Sequence, residues 1–284
     1  MATPWWFSGV LVLVCVFVEP FDGAKLGKEV VHAVEQRFYN ADAARSWAER
    51  HRDLGAGVTD PQTFATRVQT ALKSLNASHT SYFTALEPPS FGLRAIFQQP
   101  LNLANVRYHG IGVDLAPEHV VRVVFVGGPA HQAGVQRGDQ IVSVDGQPPH
   151  PILSFQGKSN SKVAVTVAVR RRAQDPPITL TIAPRSIDPR DEWLQHQREG
   201  ARRILEQGKS IAYVPMFCCA GPMFEDLLKE QLTGPLAGAD ALVLDFRDGW
   251  GGCNPGFVNL FNTMPPILTS RPRDGNAVVL DQQW

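Results

Sequence analysis

The stretch of this sequence with the clearest chemical consequence is Tyr108-His109-Gly110-Ile111-Gly112-Val113-Asp114-Leu115. A carboxylate is held best by several N–H donors converging on one point, and glycines permit the φ values and the close backbone approach that such convergence needs. Gly110 and Gly112 flank the start of a run, Ile111 to Leu115, that reads as a strand. An extended peptide could add beside that strand, with backbone hydrogen bonds supplying affinity and side-chain pockets supplying selectivity. Ile111 and Val113 would then favour an apolar last residue. The plainer reading is that the glycines only shape turns in a small β-domain.

Other reactive residue types lack a diagnostic spacing. Cys15 lies in an apolar N-terminal segment, and Cys218, Cys219 and Cys253 form no C-x-x-C pair, so neither a disulfide scaffold nor a zinc motif is predicted. H-E-x-x-H and G-x-S-x-G are both absent. No metal or cofactor is therefore expected. Cys218 and Cys219 follow one predicted parallel strand and Cys253 follows the next, so all three belong to the same edge of a sheet. In an oxidising compartment Cys253 can approach one of the pair; alternatively, the three are small buried apolar side chains.

The elements that must position these residues change character along the chain. Residues 26–75 read as helical, with Asp60-Pro61 as an N-cap and first-turn proline ahead of the stripe Phe64, Val68, Ala71, Leu72 and Leu75. Residues 86–105, punctuated by Pro88-Pro89, Gly92 and Pro100, read as a linker. From Ile111 the pattern is strands and turns: Val120–Val126, a turn at Gly127-Gly128-Pro129, a short helix over Ala130–Ala133, a strand Gln140–Val144, a tight turn at Asp145-Gly146, and alternating runs at 162–170 and 178–182. After Arg185 the chain reads as α/β. A helix over 191–207 is weakened by Gly200, a strand covers Ile211–Phe217, and Pro222 opens a helix that Gly234-Pro235 ends. Ala241–Phe246 reads as a strand buried on both faces, and Asn254-Pro255 as the cap of another helix. Strands alternating with helices imply a parallel sheet with right-handed crossovers.

Composition narrows the function classes. The 284 residues allow two domains, and 27 Lys plus Arg against 27 Asp plus Glu leave no net charge, hence no electrostatic footprint for nucleic acid. The run Arg170-Arg171-Arg172 reads as a solvated strand end. Trp5 to Val18 is apolar apart from Ser8 and Gly9, and its 14 residues fall short of the roughly 20 that a spanning helix needs. A signal-peptide core fits better, although no Lys or Arg precedes it and Asp22-Gly23-Ala24 is a poor cleavage site. Residues 5–18 otherwise offer a route to membrane association.

With these landmarks in place, two resemblances become specific. The segment from Tyr108 to Leu115, followed by Gly128-Pro129-Ala130, Ala133-Gly134, Gly138-Asp139 and Asp145-Gly146, resembles a PDZ domain of the type found in exported proteases. That likeness implies that Gly110, Ile111, Gly112 and Val113 receive a peptide C-terminus. Asp245-Phe246-Arg247-Asp248-Gly249-Trp250-Gly251-Gly252 resembles the hallmark of the carboxyl-terminal processing (tail-specific) serine proteases, with Gly249 where an Asn is usual and Trp250 where a Pro is usual. Leu75-Asn76-Ala77-Ser78-His79-Thr80-Ser81-Tyr82 resembles the Leu-x-x-x-His-Thr-x-Tyr landmark of the same family, with a local structural hydrogen bond as the expected role of His79.

The family resemblance implies a serine nucleophile, a lysine base of lowered pKa and backbone oxyanion donors, for which Gly251 and Gly252 are the catalytic candidates. Without chemistry, the same glycines would make a tight strand-to-helix turn. Beyond Gly252 there is no Thr-x-Ser-x-x-Glu stretch, Ser270 lies in a Pro-flanked loop, and no lysine follows Lys229. The expected dyad is thus absent from these residues, and the polypeptide alone is expected not to hydrolyse peptides.

The expected fold is multi-domain α+β: a leader or anchor over 1–24, a helical domain over 25–94, a PDZ-like barrel or sandwich over 95–185, and part of a crotonase-like or ClpP-like α/β core over 186–284. The expected function is recognition of protein C-termini and their cleavage by the family's dyad, in a periplasmic or extracytoplasmic membrane-associated location. The alternative is a non-catalytic PDZ-type binding protein or pseudo-protease.

Overall fold

The computed structural model describes residues 21–98, 102–103, 106–158 and 163–253, with 257, 260–261, 268–270, 273, 275 and 278–280 beyond them. The apolar segment 5–18 and the expected cap at Asn254-Pro255 lie outside the described residues. In chain order the helices are α1 (Gly23–Arg37), α2 (Ala41–Arg50), α3 (Pro61–Lys73), α4 (Pro88–Ile96), α5 (Pro129–Gln132), α6 (Pro189–Gly200) and α7 (Pro222–Thr233). The strands are β1 (Tyr108–Gly110), β2 (Val113–Ala116), β3 (Val120–Val124), β4 (Gln140–Val144), β5 (Val165–Arg170), β6 (Ile178–Ile182), β7 (Arg185–Ile187), β8 (Arg202–Glu206), β9 (Lys209–Pro215), β10 (Ala241–Asp245), β11 (Leu268–Ser270) and β12 (Val278–Leu280). The fold is a multi-domain α+β arrangement, and none of the described helices is long and apolar enough to cross a membrane.

The chain divides into two compact units, residues 1–85 with 266–284, and residues 86–265. In the first, the expected helical stretch resolves into three helices. Each starts at a side chain that accepts a first-turn amide: Asp22 from Lys25, Asn40 from Ala43 and Asp60 from Thr63. Their apolar faces close around Trp47, Phe64, Val68 and Leu72. The buried Trp47 indole donates to the Ala71 carbonyl at 2.9 Å, which removes the cost of burying its N–H. Ser78 Oγ lies 2.9 Å from His79 Nδ1, the local bond expected of that histidine, and the Tyr82 amide donates to Gln69 Oε1. Val278–Leu280 pair antiparallel with Leu268–Ser270, so Ser270 ends a strand rather than lying in the loop expected from its flanking proline.

In the second unit, β2-β3-β4-β5-β6 form an antiparallel sheet in that order over a core of Ile111, Val121, Ile141, Val144, Val165, Val167, Val169 and Ile182. β1 pairs with β7, so the segments entering and leaving this sheet meet each other. A second sheet runs β10-β9-β8, with β9 and β10 parallel and α7 as their crossover. A cluster of Val123, Phe125, Trp193, Phe217 and Phe224 packs between the two sheets.

Further expectations differ from the structure in the second unit. Residues 88–96 are a helix rather than linker, because a proline at the first helical turn removes no hydrogen bond and its φ suits the helix. The helix expected over 191–207 stops at Gly200. Arg202–Glu206 turns back onto β9 through Gln207 and Gly208, both of positive φ, as a tight hairpin turn requires. β10 pairs only with β9 among the described strands, and Ala241 and Val243 are exposed, so its apolar run is not covered on both faces. Arg171 is not merely solvated: it donates to the Gly134 carbonyl and stands 3.7 Å from buried Asp139.

Candidate functional site

The bend at Gly110–Val113 is built by inward-facing carbonyls. Ile111 O accepts the Ala130 amide at 2.8 Å, and Gly112 O accepts the Phe125 amide at 3.0 Å. The described peptides are all trans, and in a trans peptide the N–H points opposite to the carbonyl it follows. The N–H groups of Gly112 and Val113 are therefore turned away from the Ala130 and Phe125 donors. Gly112 has φ +81°, a conformation open to glycine at little cost and to most other residues only with strain.

β2 is an outer strand: β3 pairs with one edge, and no described strand pairs with the other. That edge borders a narrow groove lined by Ile111, Val113 and Leu115 together with Ile141, Val144, Pro149, His150, Pro151 and Phe155. Pro88 and Tyr108 also line it. His150 Nδ1 accepts the amides of Ile152 and Leu153, and partial burial lowers its pKa, so it acts as an acceptor that shapes this wall. The groove thus offers an unpartnered strand edge, outward N–H groups at its head and an apolar lining, the combination that binds an extended peptide by strand addition. All four residues singled out in the sequence, Gly110, Ile111, Gly112 and Val113, line it.

Behind the bend lies a polar cluster that the sequence did not reveal. A Cβ added to Gly112 would stand 3.1 Å from Glu192 Oε1. Glu192 comes from the first turns of α6, is 2% exposed, and meets Arg185 Nη2 and the Tyr108 hydroxyl at 3.4 Å each. Burial pushes its pKa up to about 7, against the opposing pull of Arg185 and Tyr108. The Tyr108 hydroxyl is driven well above its ordinary value by burial and by Glu192. Glutamate before a tryptophan in a polar helix reads as solvated, and only the β1–β7 pairing brings Tyr108 and Arg185 to it.

The second glycine-rich site follows β10. Asp245 accepts two hydrogen bonds from the Arg247 guanidinium, at 2.8 and 2.6 Å, and one from the Tyr213 hydroxyl at 2.7 Å. The Arg247 bonds hold its carboxyl well below the usual range, outweighing desolvation. The turn then approaches the end of β9: the Trp250 amide donates to Phe217 O, and Gly251 O accepts the Cys219 amide at 2.9 Å. By the same trans-peptide geometry, the Gly252 N–H points away from Cys219, and Gly252 is exposed with φ +84°. Gly249, standing where the hallmark has Asn, leaves no room for a side chain, since a Cβ would lie 2.8 Å from Phe217 O. Trp250, standing where it has Pro, stacks on Trp193 of α6 with ring centroids 5.9 Å apart.

Cys253 is disulfide-bonded to Cys219, with a Cα separation of 4.6 Å, so the turn is covalently tied to the strand end beside it. Cys218 is a buried free thiol whose pKa burial raises to about 11. The turn is also tied to the antiparallel sheet's domain by the ion pair of Arg137 and Asp248, at 2.6 Å.

Residues 120–169 match the PDZ domain family, and the chain contains a PDZ domain. The comparison with curated proteins returns no match. Among solved structures, the chain is similar to the photosystem II D1 C-terminal processing protease, with TM-score 0.42 and 20% identity, covering 82% of this chain and 62% of that one. It is similar to an S41 protease of Bacteroides fragilis, with TM-score 0.33 and 21% identity over 51% of this chain and 41% of that one. It is also similar to the HtrA3 PDZ domain bound to a phage-derived ligand, with TM-score 0.21 and 24% identity over 28% of this chain and 88% of that one. The chain spans less than two thirds of the length of the D1 processing protease.

Proposed function

We propose that this chain captures protein C-termini in its PDZ groove and belongs to the carboxyl-terminal processing serine proteases, contributing the tail-binding and oxyanion parts of the machinery. The observation that carries the reading is that the Gly112 and Val113 N–H groups turn away from the Ala130 and Phe125 donors, on residues that line an apolar groove beside a strand edge with which no described strand pairs. A terminal carboxylate seated on these donors would align the preceding residues along β2. The turn at Gly251–Gly252 supports the second half. It lies at the C-terminal end of a parallel strand and turns the Gly252 N–H away from Cys219, on an exposed residue, which leaves it open to serve as an oxyanion donor. The disulfide at Cys219–Cys253 favours an exported, oxidising location.

One observation favours a second reading, a binding module without cleavage. A lysine serves as base only with a lowered pKa, yet Lys229, on the crossover helix between the two parallel strands, is raised by its hydrogen bond to Glu225. Titration with a peptide ending in valine, as the free acid and as the amide, tests tail capture. The free acid should bind at least tenfold more tightly, about 1.4 kcal/mol, and equal affinity would remove the proposal. Incubating the same peptide with the chain should leave it intact, and cleavage would overturn the assignment of the missing dyad.

A further inference from the structure

We propose that Glu192 sets how strongly the PDZ groove holds a terminal carboxylate, through its charge behind the Gly112 peptide, so that tail binding strengthens as the medium acidifies. This rests on the tail-capture reading above.

The geometry places the carboxylate where it acts on the bend directly. Glu192 Oε1 lies 3.1 Å from the position of a Gly112 Cβ, and no side chain intervenes because residue 112 has none. On its other sides Glu192 meets Arg185 and Tyr108, and Tyr108 itself lines the groove. When Glu192 is charged, it cancels Arg185, and the backing of the bend has no net charge. When Glu192 takes up a proton, the charge of the half-buried Arg185 guanidinium, which also donates to Gln195 Oε1, is no longer cancelled, and an incoming carboxylate gains from it. In a site of low dielectric such a change is felt over several ångströms.

The titration lies in an accessible range, since burial brings Glu192 to about pH 7. A peptide's own terminal carboxyl stays ionised there, with an ordinary pKa of roughly 3.5. Among the described residues, Arg185 and Tyr108 are the groups that act on Glu192 directly. β1 brings Tyr108, β7 brings Arg185, and β2 brings Asp114, whose charge acts on Tyr108. On α6 itself, Glu199 sits against Gly127, and His196 accepts the Val126 amide with its pKa held down by burial to about 4. α4, which packs on α6, carries Arg94.

The test is the affinity of the full chain for a fluorescent peptide ending in valine, free acid and amide, between pH 5.5 and 8.5. Wild type should bind the free acid on the order of tenfold more tightly at the acid end. Glu192→Gln should lose that dependence and bind at pH 8.5 as wild type does at pH 5.5. Arg185→Gln serves if Glu192→Gln folds poorly: removing the group that favours the charged carboxylate should move the midpoint to higher pH. A free-acid preference with no pH dependence in wild type, or with the same dependence in Glu192→Gln, would overturn the role of Glu192 and leave tail capture standing. Equal binding of acid and amide at every pH would overturn both.

Discussion

Arg137, in the turn after the short helix of the PDZ domain, forms an ion pair with Asp248, in the glycine-rich turn after β10, at 2.6 Å. The contact joins the part of the chain that would hold a tail to the part that would steady a reacting carbonyl. Its worth in stability is small. Arg137 is more than half exposed, and such pairs contribute about 0.2–1 kcal/mol. Arg137→Ala and Asp248→Asn should each lower urea-unfolding stability by about 1 kcal/mol or less, with a double-mutant coupling of similar size. The larger effect should be local, as faster amide exchange at residues 249–252. Unchanged exchange there would show that the pair does not brace the turn.

The turn's covalent brace should matter more. A cross-link enclosing the 34-residue separation between Cys219 and Cys253 stabilises by about 3–4 kcal/mol in the chain-entropy account. Cys253→Ser should lower the unfolding free energy by an amount of that order. In the native oxidised chain, iodoacetamide at pH 8 should label nothing among these three cysteines, since Cys218 is buried with its pKa raised to about 11. After reduction, exposed Cys253 should react first. Labelling of Cys218 in the oxidised chain would contradict the packing described.

Two groups on α6, buried Glu192 and half-buried His196, should leave opposite marks on stability. The Glu192 pKa is raised by burial from 4.5 to about 7, so the native state holds the proton more tightly than the unfolded chain. Its contribution is complete below about pH 4.5 and is lost as pH rises through 7, by about 3 kcal/mol. The His196 pKa is depressed by burial from 6.5 to about 4, so its contribution is complete above 6.5 and is lost as pH falls through 4. Between about pH 4.5 and 6.5 the two slopes oppose each other in wild type. Glu192→Gln should therefore gain on wild type progressively from pH 4.5 to 7.5, by about 3 kcal/mol in total. A stability difference independent of pH would place the Glu192 titration elsewhere.

A side chain at Gly112 is strained on two grounds, its φ of +81° and the Glu192 oxygen 3.1 Å from a Cβ placed there. Gly112→Ala should weaken free-acid peptide binding by tenfold or more while leaving the PDZ core folded. Retained affinity would mean that the bend does not contact the tail.

The β-domain was legible in sequence because its turns are local. Gly128-Pro129, Gly138-Asp139 and Asp145-Gly146 each impose a backbone conformation that few other dipeptides allow. α4 was not legible, since Pro88-Pro89 and Gly92 carry loop chemistry and only tertiary packing reveals what they do. A Cβ on Gly92 would stand 3.1 Å from both Trp193 and Trp250. β8 was obscured by the helical pattern of α6 running into it, with Gln207-Gly208 as the one local sign of a hairpin. The Glu192 cluster left no local sign, because its three members are spread over residues 108 to 192 and meet only through the β1–β7 pairing. The Cys219–Cys253 pairing lay between: adjacent parallel strand ends brought the cysteines to one edge, but Cys218 and Cys219 were equivalent until the register of the turn was known.

The central claim is that the amides of Gly112 and Val113 grip a terminal carboxylate. Amide chemical shifts of the isotope-labelled chain, recorded with a free-acid peptide and with its amidated twin, read this out residue by residue. The account predicts large downfield shifts at Gly112 and Val113 with the acid and small ones with the amide, while β2 residues respond to both. Equal responses at these two amides, or shifts confined to other surfaces, would contradict it.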